Sequence, residues 1–328
     1  MSLYKLFRPL LFKSDPESAH LRMANFLKKL HKNWILRQGA RLLYQAPEIL
    51  MLRAQMNFRN PLGVAAGFDK NAEFYNGLSA LGVGFVEVGS VTRYPQEGNP
   101  RPRIARLVED QAIINHMGLN NVGVEKVVAN LESYPQEMKI GVSIAPNHDL
   151  TTTQMITDMA YCVHKVEEVA DYISLNLSCP NQDGVTALQE PETIAQLLDM
   201  IEVRKPLFCK FSSDLDEDQL FDCLRVICGR VAGIILSNTS LKREGLQSEH
   251  RNFKGGLSGR PLFERVLEQM KIVYKYYPSE FVLIFSGGIF TAEDAYKAFE
   301  AGADLLQIYS GMIYEGPGIF KRITKKLM

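Results

Sequence analysis

The sequence predicts a (β/α)8 barrel preceded by a helical extension. Three observations predict it. Beyond about residue 60, short apolar runs alternate with amphipathic stretches of helical length, the pattern of parallel strands joined by crossovers. Ahead of that point apolar and basic residues interleave at helical spacing instead. Polar residues gather where the apolar runs end, which is where a parallel barrel keeps its chemistry. The 328 residues, 46% of them hydrophobic, suffice for one barrel of about 250 residues and an extension. A doubly wound parallel sheet is the structural alternative.

The elements follow in order. Leu3, Leu6, Phe7, Leu10 and Leu11 share one helical face, with Lys5, Arg8 and Lys13 among them. Asp15-Pro16 reads as an N-cap followed by proline at the first helical position. Met23, Phe26, Leu27 and Leu30 form a second apolar stripe flanked by Lys28, Lys29 and Lys32, and Trp34 sits just beyond. Two basic amphipathic helices suit a membrane surface, or a helical cap packed on the main domain. The expected division is 1–45 for the extension and 46–328 for the barrel. Strands are expected at Leu62–Ala66, Phe85–Gly89, Ile140–Ala145, Tyr172–Leu177, Leu207–Phe211, Gly233–Leu236, Val282–Phe285 and Leu305–Tyr309. Helices are expected between them, among others at Thr193–Glu202, Asp216–Cys228, Leu262–Tyr276 and Ala292–Ala301.

The bulk numbers narrow the function. Lys+Arg and Asp+Glu are both 37, so charge gives no reason to expect a nucleic-acid partner. The 5 cysteines form no C-x-x-C pair and no secretory signal is visible, which suits reduced thiols in a cytosolic setting. No apolar run is long enough to span a bilayer.

The most informative stretch is Asn176-Leu177-Ser178-Cys179-Pro180-Asn181, at the carboxyl end of an apolar run. Carboxamides can read the edge of a planar heterocycle, and a thiol can lose its proton not far from neutral pH. The first strand opens into Ala65-Ala66-Gly67-Phe68-Asp69-Lys70-Asn71, where small residues let a flat ligand approach the backbone. Gly89-Ser90 ends the second strand, and Asn115-His116-Met117-Gly118-Leu119-Asn120-Asn121 is a further carboxamide cluster. Ser143-Ile144-Ala145-Pro146-Asn147, Cys209-Lys210 and Ser237-Asn238-Thr239 end later strands. Gly255-Gly256, Gly287-Gly288 and Ser310-Gly311 fall late, where barrels often bind phosphate. Taken singly, each has an ordinary reading: a core cysteine, a turn asparagine, a solvated lysine. Together they describe a barrel enzyme with a planar, phosphate-bearing cofactor and no metal.

At this point the chain resembles a family. Asn60-Pro61-Leu62-Gly63, the loop from Ala65 to Asn71, the run Pro95-Gln96-Glu97-Gly98-Asn99-Pro100-Arg101-Pro102-Arg103, Gly255-Gly256-Leu257-Ser258-Gly259 and Gln307-Ile308-Tyr309-Ser310-Gly311 are similar to dihydroorotate dehydrogenases of the membrane-associated, quinone-linked class. The resemblance runs from the N-terminal helices to Met328. It implies an FMN-carrying (β/α)8 barrel that oxidises dihydroorotate to orotate in pyrimidine synthesis. Lys70, Asn115, Asn176, Asn181, Asn238 and Thr239 would then hold the substrate. Ala66, Gly67, Lys70, Ser90, Ser143, Asn176, Lys210, Ser237, Gly259, Gly287, Gly288, Tyr309 and Ser310 would hold FMN, with Lys210 beside the pyrimidine end of the ring. Arg106 and Tyr309 match quinone-site positions. The extension would form a tunnel for a membrane quinone and seat the protein peripherally on the cytoplasmic side of the cell inner membrane.

The chain also departs from that class. Cys179 stands where the class usually carries a serine base, as in the soluble class. Leu119 and Gln182 replace a Phe and a Thr, Ser143 replaces an Asn, Pro146 a Lys, and Thr186 an Arg. Cys179 is therefore the expected base for the C5 proton. These departures leave open an oxidoreductase of the same fold with fumarate or another acceptor, or with another cyclic substrate. A flavin-free barrel serving as a scaffold is the non-enzymatic alternative.

Overall fold

All eight expected strands enter one closed parallel barrel, each paired with its neighbour in chain order. They run Leu62–Val64, Phe85–Val91, Lys139–Ile144, Tyr172–Asn176, Leu207–Phe211, Gly233–Leu236, Val282–Ser286 and Leu305–Ile308. The eighth strand closes on the first through Leu306↔Leu62 and Ile308↔Val64. Sequential order with closure rules out the doubly wound alternative. The structure, a computed structural model, describes residues 3–178 and 185–328. Cys179, Asn181 and Gln182 lie outside the described residues, as does the side chain of Thr186.

The strands are covered on both faces, which is why they read as unbroken apolar runs. Large rings from some strands fill space left by glycines on their neighbours. A Cβ on Gly141 would lie 2.1 Å from the Tyr172 ring. The antiparallel hairpin Met51–Arg53 and Met56–Phe58 closes the lower end. Its Met56 and Phe58 pack with Phe85, Tyr172, Phe208, Ile235, Ile284 and Leu305. The site therefore stands on an apolar plug.

Three details correct the sequence reading. The helix expected at Thr193–Glu202 runs Pro191–Asp199. Pro191 occupies its first turn, where a missing N–H costs nothing, and the chain turns at Met200. A three-stranded antiparallel sheet of Ile104–Leu107, Ala112–Asn115 and Gly256–Gly259 stands beside the barrel mouth and was not foreseen. Gly255-Gly256 belongs to this sheet, not to the end of a late barrel strand. Gly255 holds φ +125°, and a Cβ there would sit 2.0 Å from the Asn115 carbonyl oxygen. Strand approach explains that glycine pair.

The third correction concerns the extension, which has three helices: α1 (Leu3–Phe12), α2 (Pro16–Lys32) and α3 (Trp34–Tyr44). The Asp15 cap forms as expected, its carboxylate accepting from Ser18 N at 2.7 Å. The second stripe does not share one face. Ala24, Leu27 and Leu30 are buried on the barrel, whereas Met23 and Phe26 are exposed. A Cβ on Gly77 would lie 2.4 Å from the Leu27 carbonyl oxygen, so glycine lets α2 seat closely. Polar groups anchor α3. Arg37 donates to Glu137 Oε1 at 3.0 Å and to Leu30 O at 3.1 Å, and Arg41 donates to Glu137 Oε2. Its apolar residues Trp34, Ile35, Leu36, Leu42 and Leu43 point to solvent, with Leu42 85% exposed.

Candidate active site

The carboxyl ends of the strands surround a cavity. Among the described residues, the polar strand-end groups singled out from the sequence converge there. Ala66, Gly67, Lys70, Ser90, Asn115, Asn176, Lys210, Ser237, Asn238, Thr239, Gly259, Gly287, Gly288, Tyr309 and Ser310 all line it. Ser143 stands behind the wall: its hydroxyl is fully buried and 2.9 Å from that of Ser90. Asn147 at the end of the third-strand motif faces away, holding the Tyr94 backbone and Gln96.

A chain of hydrogen bonds orients the carboxamides. Asn176 Nδ2 donates to Ser90 Oγ at 2.9 Å. Asn238 Nδ2 donates to Asn176 Oδ1 at 3.0 Å and to Ser178 O at 2.9 Å. Thr239 N donates to Asn238 Oδ1 at 2.9 Å. Both ends of the Asn176 and Asn238 amides are thus fixed by protein. Ser258 and Ser310 hydroxyls meet at 2.9 Å near the glycine-lined end.

Lys70 donates to Gly67 O at 2.8 Å. Burial, and then the nearby Arg103 charge, lowers its pKa to about 8, with Glu17 and Asp69 opposing. Burial raises the Asp69 carboxyl to about 6 against backbone donors from Glu73 and Phe74. Arg103 in turn is clasped by Glu17 of α2, with contacts of 2.8 and 3.2 Å. Helix α2 therefore reaches the electrostatic surroundings of Lys70.

The seam between the extension and the barrel is aromatic. Tyr309 packs against Phe68 with centroids 5.8 Å apart, and Phe68 packs against His20 of α2 at 5.4 Å. Burial raises the Tyr309 phenol to about 12. Burial and then Lys70 hold the His20 pKa at about 3, so its imidazole is neutral at pH 7. Arg106 lies at the α1–α2 turn, 4.7 Å from the Phe12 ring centroid, and donates to Ser14 O. Both proposed quinone-site residues thus contact this seam.

The sequence reading missed the floor. Glu87 of the second strand is fully buried and accepts from Gln307 Nε2 at 2.9 Å and Tyr172 Oη at 3.3 Å. Its other oxygen lies 3.5 Å from Lys210 Nζ. Gln307 also lines the cavity, and its Oε1 is buried with no protein partner. A carboxylate inside the run Phe85-Val86-Glu87-Val88-Gly89 was a legible signal, because a buried charge needs partners. His20 carried no such signal.

Comparison with known proteins follows this geometry. A family model described as dihydroorotate dehydrogenase matches residues 52–328. The dihydroorotate dehydrogenase (quinone) of Christiangramia forsetii is 41% identical over 337 residues, 99% of this chain and 99% of that protein. Its namesake in Novosphingobium aromaticivorans is 40% identical, over 100% of this chain and 95% of that protein. The crystal structure of DHODH from Eimeria tenella in complex with ferulenol superposes with a TM-score of 0.86 at 34% identity, covering 95% of this chain and 90% of that one. A closed barrel, carboxamides converging on one cavity and full-length likeness at this identity point the same way: the chain is an oxidoreductase of the dihydroorotate dehydrogenase family.

Proposed function

We propose that this protein oxidises dihydroorotate to orotate with FMN as cofactor and passes the electrons to a membrane quinone. The observation that carries the proposal is the convergence of Lys70, Asn115, Asn176, Asn238 and Thr239 on the cavity that Lys210 and Gln307 also reach. The residues fit a flavin. Lys210 offers a buried cation, and Gln307 Oε1 is an orphaned acceptor suited to an imide N–H. Gly287, Gly288 and Ser310 at the ends of the last barrel strands, with Gly259 from the side sheet, form a small-residue wall suited to a phosphate.

FMN held by these residues would supply the acceptor for the hydride at C6 of the substrate. The protein's own residues do the rest. Asn115, Asn176, Asn181 and Asn238, with Thr239, hold the pyrimidine edge, and Lys70 faces the carboxylate. Cys179 takes the C5 proton. A thiol with an ordinary pKa of about 8.5 does this far more readily than a serine hydroxyl, so the Phe and Thr replaced by Leu119 and Gln182 are dispensable.

The division into an extension of 1–45 and a catalytic barrel of 46–328 belongs to the same proposal. It is supported by the family model beginning at residue 52, while full-length relatives match the helices too. The exposed apolar residues of α1–α3 support a membrane-borne acceptor over a soluble one such as fumarate. Among the described residues no helix is long and apolar enough to cross a membrane. Peripheral attachment on the cytoplasmic side of the inner membrane is the arrangement proposed.

Anaerobic stopped-flow mixing with dihydroorotate tests the reading. Oxidised flavin absorbance should bleach, faster as pH rises toward the thiol pKa. Cys179→Ala should slow bleaching about 10²- to 10⁴-fold while the flavin stays bound. A yellow protein that does not bleach would reject the substrate, and undiminished bleaching in Cys179→Ala would reject the base.

A further inference from the structure

We infer that Glu87 is a positioning residue that sets how much positive charge Lys210 presents to the flavin. The inference rests on the flavin reading above. Glu87, Lys210, Gln307 and Tyr172 come from the second, fifth, eighth and fourth strands and meet at one carboxylate. Glu87, Tyr172 and Gln307 are at most 1% exposed and Lys210 is 5% exposed. Below them lies the apolar plug that includes Phe85 and Phe208. Water screens such a group weakly, so its charge is felt strongly by the groups around it, the Lys210 ammonium first.

The geometry assigns it two tasks. A carboxylate only accepts, so the Gln307 amide must turn its NH2 toward Glu87, which leaves Oε1 as the cavity-side acceptor. The Lys210 ammonium, 3.5 Å away, is partly neutralised and held at the cavity wall. Tyr172 donates to the same carboxylate and tempers its charge. A reduced flavin carries more negative charge than an oxidised one. A counter-ion behind the cation therefore lowers the tendency to accept electrons.

The test is the flavin midpoint potential of the FMN-loaded full-length protein, titrated against a reference dye without substrate. Glu87→Gln keeps the shape and, through its amide oxygen, the bonds from Gln307 and Tyr172, while it removes the negative charge and the contact with Lys210. It should raise the potential, by at least tenfold in the two-electron equilibrium or about 30 mV. Tyr172→Phe leaves the carboxylate less tempered and should lower the potential by a smaller step. A purely structural role would change melting temperature and leave the potential where it was. Equal or lowered potential in Glu87→Gln overturns the inference. Should Glu87→Gln fail to retain FMN, Tyr172→Phe decides: a fall supports the inference, and no change or a rise overturns it. The functional reading fails separately, and this inference with it, when the unaltered protein takes up no FMN.

Discussion

In the barrel helix Glu217–Ile227, Leu220, Cys223, Leu224 and Ile227 are buried while Glu217 and Asp218 face water. In α3 the arrangement is reversed: Arg37 is buried, and Trp34, Ile35, Leu36, Leu42 and Leu43 are exposed. The same kinds of residue do opposite jobs in the two regions. Fourteen of the twenty-three large hydrophobic residues exposed among the described residues fall between Leu6 and Leu52. Exposed Lys13, Arg22, Lys29 and Lys32 lie among them. A helix in water hides its apolar face, so this reversal supports the proposed membrane-facing role of the extension. The barrel side of the extension is held by the buried Glu17–Arg103 pair and the half-buried Glu137–Arg37 pair, together with Ala24, Leu27 and Leu30.

The contrast can be broken most forcefully on its outer face. Leu10→Glu, Ile35→Glu and Leu42→Glu together should cut partition into anionic phospholipid vesicles at least ~100-fold, since each buried leucine-sized side chain contributes about 1.5–3 kcal/mol. Flavin reduction by dihydroorotate and the melting temperature should not change. Undiminished partition would mean that the exposed face is not the one that meets lipid.

The inner side of the comparison is sharpened by pH. Lys70 has its pKa lowered to about 8, so it carries its charge below that pH and loses it above. Orotate affinity should be flat from pH 6 to 7.5 and fall by up to about tenfold per unit above pH 8. Lys70→Met should flatten the profile. A wild-type profile that stays flat to pH 9 would remove Lys70 from carboxylate recognition.

The smallest effect lies where the two regions meet. His31 of α2 packs between Tyr75 and Tyr134, each 4.5 Å away, and its Nδ1 accepts from Asn76 N at 3.3 Å. Burial, then Arg37, lowers its pKa from the ordinary 6.5 to about 4. Between those values the unfolded chain binds a proton that the folded chain refuses. This group's stabilisation is therefore present above pH 6.5 and is lost as pH falls toward 4. His20 acts in the same direction. His31→Gln keeps an acceptor and should lower the melting temperature less than wild type does between pH 7 and 5. Parallel slopes would show that His31 binds a proton as readily in the folded chain as in the unfolded one.

The barrel was legible in the sequence because its strands are buried on both faces and end in polar residues. The Asp15 cap was legible from local chemistry. The inverted extension was not, because periodicity tells which residues share a face and never which face looks outward. Phe26 and Leu27 are adjacent and similar, yet Phe26 is exposed and Leu27 buried. Helix α3 escaped notice because its one buried residue is an arginine, Arg37. Gly255-Gly256 was misread because a glycine demanded by strand approach looks the same in sequence as one that cradles an anion. The carboxamides were found from their strand-end positions. The Ser90–Ser143 contact depends on the pairing of the second and third strands, and the Glu87–Gln307 contact joins the second and eighth strands, which only the closed barrel brings together.

The side sheet has a metrical consequence. Asn115 pairs with Gly256, and Ala112 pairs with Gly259, so two ends of the cavity wall belong to one ladder. Three residues of strand separate those rungs, a span of about 10 Å at ~3.3 Å per residue. A molecule touching both Asn115 and Gly259 is measured against that fixed length as if between caliper jaws. Loops could flex to suit a longer or shorter guest, but paired strands change only by whole steps of register. The mouth of this barrel therefore keeps these two contacts at a fixed spacing whatever the loops around them do.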